Sequence, residues 1–133
     1  MSPKRIKEIY VDFKRALERL KEALDEDLSK GSIIIDGAIQ RFEFTFELAW
    51  KLGKAMLSYG GIEVDSPRFV IKEAYKAKIF ADGQGWIDML EDRNKTSHIY
   101  DEKSAKEIYK KIKKSHLPLL EDFLDKAAEF LKF

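Results

Sequence analysis

The densest collection of reactive side chains in this sequence is a run of eight, Arg93-Asn94-Lys95-Thr96-Ser97-His98-Ile99-Tyr100. It holds permanent cations, an amide, two hydroxyls, an imidazole and a phenol. An imidazole titrates near neutrality and moves protons. A guanidinium binds phosphate oxygens bidentately and stabilises charge on a phosphoryl group. Together they are the smallest set able to cleave RNA without a metal. A base takes the ribose 2′ proton, an acid protonates the leaving oxygen, and a fixed cation holds the phosphate. Each proton-transfer group contributes about 10²–10⁴-fold. The opposing reading is that an Arg, an Asn and a His at a helix end cap carbonyls and pair with nearby acids, here Asp92, Asp101 and Glu102.

Spacing sets further conditions. Asn94 and His98 are four apart and share a helix face. Arg93 and His98 are five apart, about 140° around an ideal helix. The helix must therefore end or bend near Ser97 if both are to reach one phosphate; otherwise the second side chain comes from another subunit. One His per motif also leaves the acid or the base role unfilled. A dimer with both motifs in a shared cleft fills it.

Three other features compete for attention. Glu43 and Glu47 are four apart on one helix face, a spacing that suits a base or a cation-binding pair; the plainer alternative is pairing with Lys51 or Lys54. Six lysines between Lys103 and Lys114 form either a solvated helix face or a local basic surface that attracts a polyanion. His116 falls in a core-facing register just before Pro118 and reads as a satisfied interior histidine. Tyr100, taken alone, reads as a half-buried packing residue.

The elements that must position these groups are helices. Ser2 and Pro3 open the first, by an N-cap and a first-turn proline. Ile6, Tyr10, Phe13, Leu17, Leu20, Leu24 and Leu28 follow at spacings of three and four, the seam of a bundle, with Gly31 as the stop. The second runs from about Asp36 to Tyr59. It carries two apolar stripes, one through Ile35, Phe42, Phe46 and Met56 and one through Phe44, Leu48, Leu52 and Tyr59. Only a thin polar line separates them: Gln40, Glu43, Glu47, Lys51, Lys54 and Ser58. A helix apolar nearly all round is buried nearly all round, so one flank is expected to be covered by a second copy. Ser66-Pro67 opens a third helix through Tyr75 and Ala77. Residues 81–85 read as a loop, with a fourth helix from about Trp86 carrying the reactive run at its end. The fifth starts between Asp101 and Ser104, where Ser104 to Glu107 fits a capping box, and Pro118 should kink it. The expectation is an all-α, antiparallel up-and-down bundle of four to five helices, one domain over residues 1–133.

Composition narrows the function classes. Cys is 0, which removes disulfides and thiolate metal sites. With two His besides, no metal site is expected. No glycine-rich loop follows a strand and no Gly-x-Ser-x-Gly elbow exists, so no cofactor is expected. No purely apolar run is longer than three residues, as in Ile33-Ile34-Ile35, so no membrane span is expected, and Met1 to Glu8 lacks the apolar stretch of a signal peptide. A cytoplasmic location is the default. Lys and Arg total 25 against 24 acids, for a net charge of +1, which argues against a protein that coats nucleic acid. The balance hides an asymmetry. Residues 101–116 hold six Lys against three acids, and residues 117–133 hold two Lys against four. The basic part lies next to Arg93 and His98, where an RNA backbone would pass.

Arg93, His98 and Tyr100 match the Arg-x4-His-x-Tyr motif of the HEPN superfamily. The segment Arg41-Phe42-Glu43-Phe44-Thr45-Phe46-Glu47-Leu48-Ala49-Trp50-Lys51 resembles the second helix of one branch, the nucleotidyltransferase substrate-binding proteins or HepT-like toxins. Ser66-Pro67-Arg68 and the stretch from Trp86 to Asn94 resemble its later landmarks, so the likeness runs from Arg41 to about Tyr109. The resemblance implies a homodimeric helical bundle with both motifs lining one cleft. It implies a small nucleotidyltransferase as partner and antitoxin, and RNA as substrate. It implies catalytic roles for Arg93 and His98, an auxiliary polar role for Asn94, and adenylylation of Tyr100 as the neutralising step. The phosphate so added, two residues from His98, would fill the cleft and occupy Arg93.

Overall fold

The computed structural model describes residues 2–132 and is all-helical. Six helices follow in order: α1 (Pro3–Leu24), α2 (Ile33–Tyr59), α3 (Pro67–Lys76), α4 (Gly83–Thr96), α5 (Glu102–Lys111) and α6 (Leu117–Phe130). A π-helical turn over Ile112–His116 joins α5 to α6, so the chain forms five rods. No helix of the described residues is long and apolar enough to cross a membrane.

Local chemistry explains where each helix begins. The Ser2 hydroxyl accepts from the Arg5 amide and the Ser66 hydroxyl from the Phe69 amide, each beside a proline whose missing N–H costs nothing in a first turn. Three boundaries differ from expectation, and the start of α5, which falls within its expected span, has a different cap. Helix α1 stops at Leu24, because Asp27 accepts from the Ser29 amide and draws Leu28–Lys30 into a separate 3-10 turn, leaving Leu28 exposed. Helix α2 starts three residues before Asp36, at Ile33. Helix α4 starts inside the glycine segment, because Asp82 caps the Gly85 amide at 3.0 Å. The glycines there serve close approach: a Cβ on Gly85 would sit 2.8 Å from Leu119 Cδ1, and one on Gly83 would sit 3.0 Å from the Tyr75 ring. Helix α5 is capped by Asp101, which accepts from Ser104, so Ser104 is a receiving position and not the cap.

Pro118 is accommodated by widening the helix. Its ring has no N–H and crowds the carbonyl four residues back. The chain responds with i→i+5 bonding, in which the Leu117 amide reaches the Ile112 carbonyl.

Helix α2 is the axis of the bundle. Helix α1 packs antiparallel to it, with Arg41 donating to the Arg19 carbonyl at 2.7 Å. Phe42, Phe46, Ala49 and Leu52 of α2 are fully buried. The centre of the core is aromatic. Phe80 and Trp86 stack at 3.7 Å, Phe123 meets both edge-on, and Phe13 and Phe46 close the cluster. Burying each such side chain stabilises the fold by about 1.5–3 kcal/mol. This packing fixes α4 against α2 and α6, and so sets where its last turns point. The second stripe of α2 is not uniformly buried. Leu52 and Ala55 are, Leu48 is half-buried, and Phe44 is 62% exposed.

Candidate active site

Helix α4 ends at Thr96, with Ser97 as its C-cap and the His98 amide bonded to the Lys95 carbonyl. That is the termination required for Arg93 and His98 to converge. Their side chains nonetheless enter different surroundings.

Arg93 turns toward α2. Its Nη1 lies 3.1 Å from Glu43 Oε2, and its Nε lies 3.9 Å from Glu47 Oε1. Thr96 completes the group. Its hydroxyl is 2.9 Å from Glu43 Oε2 and 2.6 Å from the Arg93 carbonyl, either of which can take its one proton. Glu47 also accepts from the Trp50 indole at 3.1 Å. Glu43 and Glu47 are thus partners of Arg93, and not of Lys51 or Lys54; Lys54 pairs with Asp65 instead. Sequence spacing could only offer partners on the same helix, whereas α4 brings one 50 residues away. The Arg93 cluster is half-exposed, and among the described residues the Arg93 Nε is the one buried side-chain polar atom without a hydrogen-bond partner. A buried donor left unpaired costs about 1–3 kcal/mol.

His98 is exposed and lines an open cleft of about 340 Å³ between α4 and α5, with Asp92, Lys95, Ser104, Glu107 and Lys111. Arg93 is not part of that lining. Asn94 is exposed, and its carbonyl accepts from Ser97. Tyr100 is 88% exposed, so it is not a packing residue. The chain is already between helices there, and nothing covers the ring. Tyr100 lines a neighbouring cleft with Ser32, Asp36, Glu102 and Lys106, and Ile99 lines both clefts. Of the lysine run, Lys111 pairs with Asp92 and Lys113 donates to the Leu24 carbonyl.

The group that spacing did not identify is Asp92. It is 1% exposed, and its Oδ2 sits 2.6 Å from His116 Nε2 and 2.7 Å from Lys111 Nζ. His116 is buried and stacks on Phe42, as an interior histidine should. Asp92 had been a candidate partner for the reactive run beside it. Its carboxylate instead pairs with Lys111 and His116 at the inner wall of the His98 cleft. Burial pushes the Asp92 carboxyl up, but the hydrogen bonds and charges of His116 and Lys111 outweigh this and hold it below its ordinary 3.8. Among the described residues, no group of three or more His, Asp or Glu is placed to hold a metal ion.

A family model described as nucleotidyltransferase substrate binding protein like matches residues 8–129. A Haemophilus influenzae protein named probable ribonuclease HepT is 34% identical over 84 residues, 59% of this chain. The match spans 58% of that relative's length. A Thermus thermophilus crystal structure superposes with a TM-score of 0.74 at 33% identity, covering 91% of this chain and 99% of that one. A Haemophilus influenzae structure, presented as the fold of a substrate binding domain of a nucleotidyltransferase, gives 0.69 at 23% identity, covering 96% and 99%. This last likeness is one of fold.

Proposed function

This chain belongs to the nucleotidyltransferase substrate binding protein like family, and on that premise we propose that it is a metal-independent endoribonuclease toxin held in check by a small nucleotidyltransferase. The ribose 2′ oxygen attacks phosphorus and its proton passes to a base. The bond to the 5′ oxygen breaks, that oxygen takes a proton from an acid, and a 2′,3′-cyclic phosphate remains. His98 serves as one of the two proton-transfer groups and Arg93 holds the phosphate. A second copy of the chain supplies the other histidine, docking along the α2 flank that leaves Phe44 exposed. Asn94 is an auxiliary polar group beside Arg93.

The observation that carries this reading is His98 itself: an exposed imidazole beyond the end of α4, on a cleft with Lys95 and Lys111. The name of the ribonuclease relative supports it. The exposure of Tyr100 supports the control step. Its phenol oxygen attacks the α-phosphorus of ATP, its proton goes to a base of the transferase, and pyrophosphate leaves.

A second reading, a non-catalytic subunit that binds substrate for the transferase, is favoured by one observation. In the single chain Arg93 is already engaged by two carboxylates and is absent from the His98 cleft. Cleavage of RNA by pure protein in chelator separates the two. The nuclease reading expects 2′,3′-cyclic ends and at least about a 10²-fold loss in His98→Ala. A wild-type protein that binds the transferase but leaves RNA intact supports the subunit reading.

A further inference from the structure

The carboxylate of Asp92 stands apart from the Arg93 cluster, one residue from Arg93, and its residue forms the buried floor of the cleft that His98 lines. Two donors converge on its Oδ2: Lys111 Nζ at 2.7 Å and His116 Nε2 at 2.6 Å. These donors are five residues apart. On an ideal α-helix that spacing separates them by about 140°, so they could not reach one oxygen from one side. The chain between them is the π-helical turn Ile112–His116. A π turn holds more residues than an α turn, which brings positions five apart back into line. The widening that Pro118 forces thus creates a two-donor clamp. The imidazole is itself held from behind by Phe42 of α2, with ring centroids 5.5 Å apart.

We infer that Asp92, His116 and Lys111 form a positioning clamp that fixes the last turns of α4, so that Arg93 and His98 are presented in one geometry. The helix end is gripped on two faces. Asp92 ties one face to the junction of α5 and α6, and Arg93 ties the other to Glu43 of α2. His98 follows the C-cap directly and inherits its direction from that turn. Asp92 touches no substrate; it acts through Arg93 and His98 as a positioning residue. The inference rests on the nuclease reading for its catalytic consequence, and on the fold alone for its structural one.

The test pairs RNA cleavage in chelator with amide hydrogen exchange on the full-length protein. Asp92→Asn keeps the shape and removes the charge. Lys111→Met removes one donor at a partly exposed position, and Lys111→Arg restores a cation. For Asp92→Asn, kcat is expected to fall by about 10²-fold with KM little changed, since a misplacement of about 1 Å costs that much. Amides of residues 93–98 are expected to exchange faster relative to residues 86–91. Lys111→Met shows the same pattern more weakly, and Lys111→Arg recovers it. The inference is overturned if the variants lower only the melting temperature, with kcat and the relative exchange of 93–98 as in wild type. Should Asp92→Asn not fold, the two Lys111 variants decide. Should wild type cleave no RNA, the nuclease reading fails, and the exchange pattern alone decides whether the clamp exists.

Discussion

Asp92 and Arg93 are neighbours on one helix with opposite fates. Asp92 points into the bundle, is 1% exposed and has both oxygens engaged by cationic or polar donors. Arg93 points to a half-open surface, meets Glu43 well and Glu47 poorly, and leaves its Nε unpaired. A buried charge must be fully partnered, because desolvation is otherwise prohibitive. A charge at a rim is partly solvated and tolerates looser pairing, although the Arg93 Nε itself is buried and bears the cost of its missing partner. The helix therefore carries a structural charge on its inner face and an adaptable one on its outer face. On the proposed nuclease reading, a phosphate would have to compete with Glu43 and Glu47 for the latter.

The comparison predicts a hierarchy of stability effects. Asp92→Ala leaves His116 and Lys111 facing an empty site, and equilibrium urea unfolding should show a loss of about 3–5 kcal/mol. Arg93→Gln should cost no more than about 1 kcal/mol in the same experiment, because its pairs are partly solvated and imperfect. If the two losses are equal, the contrast between the faces is broken. A pH series sharpens it further. The Asp92 carboxyl is held below 3.8 in the folded state. The stability this gives is present above the unfolded value and is lost as pH falls through the lower folded one. The difference in unfolding free energy between wild type and Asp92→Asn should therefore shrink as pH falls below about 4. The smallest effect on folding belongs to Phe44→Ser, within about 0.5 kcal/mol. Its consequence should fall on self-association, where sedimentation should show about a tenfold weaker dimer.

Much of the bundle was legible because its signals are local. Ser2-Pro3 and Ser66-Pro67 marked helix starts to the residue, and the stripe from Ile6 to Leu24 marked the buried face of α1. His116 was legible as interior because its register agrees with Tyr109, Ile112, Leu120 and Phe123, all buried. Errors came where two local signals competed. Ser104 to Glu107 fits a capping box, yet the cap of α5 is Asp101, three residues earlier. The glycines at 83 and 85 look like loop residues, yet they lie in α4 because Asp82 caps the helix ahead of them, and they are glycine because Tyr75 and Leu119 leave no room for a Cβ.

The sequence by itself determined the body of each rod, though not every end, and that the reactive run ends one of them. Periodicity and capping are decided within a few residues, so they survive without knowledge of the rest of the chain. Partnership is different. That Glu43 belongs to Arg93, that Asp92 serves His116 and Lys111 rather than its own neighbours, and that Tyr100 stands clear of the core were decided only by the packing of α4 between α2 and the α5–α6 junction. Helix geometry says which way a side chain leaves its own axis. Only the crossing of a second axis says what it meets.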